Sequence, residues 1–217
     1  MPICHDKKLL FIHVPKTGGS SIEKALDVQH LDALYSHKRC ADAMPDVVQL
    51  FQGEQQKKVH AVTPQHLTAA QLKIILGKTF DEYHKFAVVR NPYDRMVSEY
   101  CYIQSNQDLR FNAYKRINFK TFVYKVLNLP EMVRHSLFDS HLNTQHSFLY
   151  DCFENPLVDK VFKFETLIDV FNEYNLKHLH ERKSNRTHWR DYLDDESKRL
   201  INDAYNKDFE TFHYTKY

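Results

Sequence analysis

Glycine is scarce in this chain: there are four in 217 residues, and two of them, Gly18 and Gly19, are adjacent. Cysteine is equally sparse. Cys4, Cys40, Cys101 and Cys152 are far apart and lack metal-ligand spacing, which points to free buried thiols in a reducing compartment. Neither sign of charge dominates: 30 basic against 28 acidic residues leave a net charge of +2, so a broad basic face for duplex nucleic acid is not expected. The longest apolar stretch near the start, 9–14, is interrupted by His13; it is too short for a membrane span and lacks the form of a signal peptide. There is no Gly/Ser/Pro-rich linker, internal repeat, heptad run or low-complexity tract, so residues 1–217 are expected to form one domain.

What is present alternates. Strand-like and helix-like runs follow one another: strand 8–14, helix 20–26, strand 57–62, helix 67–76, strand 85–90, helix 93–105, strand 160–164 and helix 165–174. Such alternation predicts an α/β fold with a parallel sheet flanked by helices, and ligands then collect beyond the carboxyl ends of the strands. The 118–127 segment predicts an amphipathic helix whose stripe of Phe119, Phe122, Val123 and Val126 faces the core.

The paired glycines lie in Phe11-Ile12-His13-Val14-Pro15-Lys16-Thr17-Gly18-Gly19-Ser20-Ser21, between a strand and a helix start. Bare backbone at that point exposes the unpaired N–H groups of a helix N-terminus, which suit an anion. Lys16 adds a full charge, and Thr17, Ser20 and Ser21 add hydroxyls. This is not the nucleoside-triphosphate loop, because Lys16 precedes both glycines. Gly77-Lys78-Thr79 has Leu72 where that loop needs glycine, so Gly77 is read as a helix C-cap.

A second block, from Lys85 through Arg90 and Asn91-Pro92 to Ser98, places an arginine at a strand end and a serine a little over two helical turns later. The planar guanidinium of Arg90 suits bidentate phosphate binding, with Ser98 facing back toward it. The alternative is that Arg90 pairs with Asp94 and Ser98 faces solvent.

The two blocks, in this order, resemble the 5′-phosphosulfate loop and the 3′-phosphate segment of sulfotransferases that use 3′-phosphoadenosine 5′-phosphosulfate (PAPS), particularly the carbohydrate enzymes related to heparan sulfate 2-O-sulfotransferase. The resemblance implies a P-loop-like sheet and transfer of a sulfuryl group to a hydroxyl, most simply on a saccharide, with adenosine 3′,5′-bisphosphate released and no metal needed. It implies that Lys16 neutralises the leaving phosphate, with Thr17, Gly18, Gly19, Ser20, Ser21, Arg90 and Ser98 binding the donor. Lys183, Ser184 and Arg186 resemble a loop set against the nucleotide, Gln145 resembles a recurrent acceptor-side glutamine, and Glu165 ends a later strand.

Deprotonating the acceptor calls for a general base. His66 and His60 occupy the segment between the two blocks where related enzymes carry histidines, and Glu23 or another carboxylate is the alternative. His13, inside the first strand, reads as a hydrogen-bonded structural histidine. A cytoplasmic protein is expected, with the Golgi lumen the alternative if an N-terminal anchor is removed. The rival functions are an atypical kinase or NTPase and a non-enzymatic adenosine-bisphosphate sensor.

Overall fold

The structure, a computed structural model, describes residues 3–26, 66–138, 140–179 and 186–217. Four strands, β1 (Ile3–Cys4), β2 (Leu9–Ile12), β3 (His84–Val89) and β4 (Lys160–Lys163), form one sheet in that order. β2, β3 and β4 run parallel, and β1 closes one edge antiparallel. The mixed α/β sheet agrees with the alternation in the sequence; the strand expected over 57–62 lies outside the described residues.

β2 and the Phe86–Val89 run of β3 lack polar alternation because both of their faces are covered, whereas β4 at the edge buries only Phe162. Leu10, Ile12, Ala87 and Val89 pack on one side with Leu72, Phe80 and Phe148. On the other, Leu9, Phe11, Phe86 and Val88 meet Ile22, Phe162 and Val170.

The helices are α1 (Gly19–Ala25), α2 (Ala69–Leu76), α3 (Lys78–Glu82), α4 (Pro92–Ser105), α5 (Phe119–Leu127), α6 (Glu131–Leu137), α7 (Gln145–Leu149), α8 (Ile168–Glu173), α9 (Asp195–Ala204) and α10 (Asn206–Thr211). Their ends follow local chemistry. A capping box of Thr68 and Gln71 starts α2, and Gly77, at φ 51°, ends it by donating its N–H to the Lys73 carbonyl at 3.0 Å. Pro92 opens α4, where its missing N–H costs nothing, and the Asn91 side chain accepts from the Tyr93 N–H at 3.0 Å. The apolar stripe of α5 is buried as expected and joins Tyr93, Met96 and Val97 of α4 and Ile201 of α9 in a third core beside the sheet.

Two expectations need correction. The helix foreseen over 165–174 begins as a 3-10 turn, Phe164–Thr166, before α8, a tightening common at helix starts. Cys40 lies outside the described residues, and the other three thiols are free but not deeply buried: Cys4 and Cys101 are half-buried, and Cys152 is exposed in the turn after α7.

Candidate active site

Because β2, β3 and β4 are parallel, their carboxyl ends share one edge, and the segments following them meet there. Arg90 donates from Nη1 to the Lys16 carbonyl at 2.9 Å, and Arg95 donates from Nε to the Pro15 carbonyl at 3.1 Å. The glycine-bearing loop and the segment after β3 are therefore hydrogen-bonded to each other. Lys16 (φ 69°) and Gly18 (φ 87°) both lie in the left-handed region, and such turns gather backbone N–H groups into an anion-binding concavity. Lys16 Nζ rests 4.1 Å from the centre of the Tyr102 ring.

The two glycines are bare for different reasons. Gly18 needs its positive φ, and a Cβ there would lie 3.0 Å from Leu167. Gly19 has no such requirement, but a Cβ on it would come within 2.0 Å of His13 Nε2. Its bareness makes room for an imidazole. The loop hydroxyls also divide. Thr17 is fully buried and donates to the Val14 carbonyl at 2.8 Å, so its hydroxyl closes the loop instead of offering a proton outward. Ser21 is buried and Ser20 half-buried.

Arg90 is buried and held on several sides. Nε donates to Asp94 at 2.8 Å, the guanidinium carbon lies 3.9 Å from the centre of the Phe164 ring, and the other Asp94 oxygen accepts from Arg186 Nη2. One carboxylate thus holds two guanidiniums together. Burial pushes the Arg90 pKa below its ordinary value, and Asp94 opposes that shift. The Arg90–Asp94 pair foreseen as the alternative is present, and it recruits Arg186. Ser98 is half-buried, two turns along α4.

Gln145, expected to touch the acceptor, is fully buried. Its side-chain oxygen accepts from the Arg90 N–H and its amide donates to the Arg90 carbonyl, both at 2.8 Å. Both ends are taken up by backbone, so in this arrangement it splints Arg90 and does not reach out to an acceptor. Asp208 completes the splint by accepting from the N–H groups of Gln145 and His146, each at 2.9 Å. Burial raises the Asp208 pKa against the pull of Arg95 and these N–H donors. Glu165 caps the segment after β3, accepting from the Asn91 N–H at 2.9 Å and from the Tyr214 hydroxyl at 2.8 Å.

Beside the loop lies a row of three imidazoles. The His66 ring centre is 5.1 Å from His13 and 4.9 Å from His141, both edge-on, and Tyr102 lies 5.8 Å beyond His141. Each outer histidine has its own carboxylate: His13 Nδ1 lies 2.6 Å from Glu23, and His141 Nδ1 lies 2.9 Å from Glu99. Glu99 is 1% exposed, yet its pKa is lowered: burial pushes it up, and His141, Lys16 and Arg95 together outweigh that. His60, Lys183 and Ser184 lie outside the described residues.

Sequence reasoning foresaw His66 but missed His141, Glu99 and Arg95. Glu99 left one trace: it sits among Tyr93, Met96, Val97 and Tyr100, a charge within the buried stripe of an amphipathic helix. Next to the row in the chain, a cavity of about 190 Å³ is lined by Thr68, Arg134, Asn143, Thr144, Ser147 and Tyr205 among others. Arg134 Nε is enclosed without an acceptor among the described residues. Those residues contain no cluster of three or more groups able to hold a metal, and no helix among them is long and apolar enough to cross a membrane.

No curated protein and no solved structure matches the chain. The model of the sulfotransferase family, however, matches residues 1–215, and with a strand-ending glycine loop bound to a buried arginine beside it, the chain belongs to the sulfotransferase family.

Proposed function

We propose that this protein moves a sulfuryl group from PAPS to an acceptor hydroxyl, on a saccharide, and releases adenosine 3′,5′-bisphosphate. The observation that carries this reading is the 2.9 Å bond from Arg90 to the Lys16 carbonyl, which keeps two anion-binding blocks within reach of one ligand. The loop N–H groups, Lys16 and Ser20 take the 5′-phosphosulfate. Arg90, Ser98 and Arg186 take the 3′-phosphate, with Lys183 and Ser184 as further contacts. Asp94 keeps the two guanidiniums adjacent, and neither Arg90 bond uses Nη2. A guanidinium is the apt group because it meets a phosphate with parallel charge-assisted bonds.

In the transfer, the acceptor oxygen bonds to sulfur as the sulfur–oxygen bond to the 5′-phosphate breaks, and the electron pair goes to the phosphate oxygen beside Lys16. The acceptor proton goes to His66, with His60 the alternative base. In-line displacement of this kind leaves the protein mainly positioning and charge stabilisation to perform. The polar lining of the cavity beside Thr68 and Thr144 suits a hydroxyl-rich acceptor. The three free thiols among the described residues support a cytoplasmic setting.

Calorimetry tests the donor site. Adenosine 3′,5′-bisphosphate should bind more tightly than AMP or ATP, and the preference should vanish in Arg90→Ala. Indifference to the 3′-phosphate, or magnesium-dependent ATP turnover in its place, overturns the reading. Label transfer from PAPS to a panel of glycans, phenols and steroids then tests the acceptor.

A further inference from the structure

We propose that His141, gripped by Glu99 and Arg95, is the electrostatic partner of His66: a positioning residue that sets the protonation of the base. This rests on the reading above that His66 is the base.

Geometry separates the two outer histidines. His13 presents Nε2 to the backbone of Gly19 so closely that not even a methyl group fits between them, so its second nitrogen is walled off by the phosphate loop. His141 commits Nδ1 to Glu99, and its side chain is 15% exposed against 5% for His13. Its ring is edge-on to His66 and tilted against Tyr102. Lys16 Nζ sits over that same tyrosine, so the ring that touches His141 also carries the cation that meets the leaving group.

The grip on His141 is more elaborate than packing requires. Arg95 and Glu99 stand one turn apart on α4. Arg95 Nη2 donates to the His141 carbonyl at 2.7 Å while its Nε holds the Pro15 carbonyl, so a single guanidinium ties His141 to the phosphate loop. Glu99 fixes the ring, and its second oxygen, Oε1, is buried without a hydrogen-bond partner among the described residues. A buried carboxylate with one oxygen left bare is costly unless the charge has a use, and stabilising an imidazolium is such a use. The charges facing the pair are Lys16 and Arg95, and the titratable groups facing it are His66, Tyr102 and, beyond His66, His13.

The step balances. As the acceptor oxygen bonds to sulfur, its proton passes to His66, whose positive charge then stands beside the His141–Glu99 pair. The proton leaves to solvent when the product does.

The test follows the imidazole resonances of the ¹⁵N-histidine-labelled full-length chain, saturated with adenosine 3′,5′-bisphosphate, through a pH titration. His66 is assigned by His66→Asn. Glu99→Gln removes a negative charge and should move the His66 protonation midpoint to lower pH. His141→Asn removes a competing positive charge and should move it higher. A tenfold change in the protonation equilibrium, one pH unit, is the scale expected for a neighbouring charge in a partly buried site. His66 titrating as in the wild type in both variants, with thermal melting showing them folded, overturns the proposal. His141→Asn serves alone should Glu99→Gln not fold. Loss of bisphosphate binding in the wild type would instead sink the donor reading, and the titration would still report on the pair.

Discussion

The two halves of this site hold their charges by different means. Around the phosphate loop the cations combine one carboxylate, Asp94 between Arg90 and Arg186, with backbone anchors: Arg90 on the Lys16 carbonyl, Arg95 on the Pro15 carbonyl, and Gln145 clamping both backbone groups of Arg90. Around the histidines each outer ring answers to a carboxylate side chain, Glu23 or Glu99. Backbone anchors keep a cation in place whatever the pH. Carboxylate anchors couple position to protonation. The first arrangement suits a group that must always be positive, the second a group that must gain and lose a proton within a catalytic cycle.

The sharpest way to break the donor half is Lys16→Ala. Losing one preorganised cation at the leaving oxygen should lower turnover by about 10²–10³-fold, measured as label transfer from PAPS, with the unfolding midpoint little changed. Lys16→Gly should be equally inactive yet more stable by about 1 kcal/mol, because the left-handed φ of 69° strains a lysine and not a glycine. An active Lys16→Gly would remove the lysine from the chemistry. Next comes Arg90→Ala, which should weaken adenosine 3′,5′-bisphosphate by about 10–100-fold, the scale of charge-assisted hydrogen bonds, and leave AMP unaffected. Arg90→Lys should not restore it, since an ammonium has no planar fork.

The two blocks of the proposed donor half were legible in the sequence and the histidine row was not, for a physical reason. Pro15 to Ser21 and Arg90 to Ser98 are each contiguous, so strand, turn and helix start could be read from one stretch with their spacing intact. The histidine row draws on β2's end, the start of α2, the middle of α4 and the turn before α7, and nothing local in 14 histidines tells which three will meet. The glycine pair held a second reason that the sequence did not show. Both glycines read as bare backbone for an anion, and Gly19 must also be bare to clear His13. Gln145 misled: a polar residue in a loop suggested a ligand contact, but burial turned its amide onto Arg90.

That contrast between the glycines yields a third test. Gly19→Ala puts a methyl group into the His13 ring and should destabilise the protein by about 1–3 kcal/mol, as overpacking does, in urea unfolding. Adding His13→Ala should recover at least about 1 kcal/mol of it, because neighbours in contact are non-additive. The same second change in Gly18→Ala should recover nothing, since the penalty there is a positive φ beside Leu167. Equal recovery in both would mean that His13 does not set the identity of residue 19.

The smallest effect expected is a difference in how two buried carboxylates respond to acid. Glu99 titrates below its ordinary value in the folded protein, so it contributes stability that is present above the unfolded-chain pKa, about 4.3, and is lost as pH falls through the lower folded value. Asp208 titrates above its ordinary value, so its ionised form costs stability at neutral pH. That cost shrinks as pH falls through its raised folded pKa and is gone below the unfolded value, about 3.9. Urea midpoints measured from pH 7 down to the limit of folding should therefore fall less steeply at the acid end in Glu99→Gln than in the wild type. In Asp208→Asn the partial gain on mild acidification should disappear. If the two variants follow parallel curves, the opposite electrostatic settings of the histidine row and the Arg90 splint are not what these carboxylates feel.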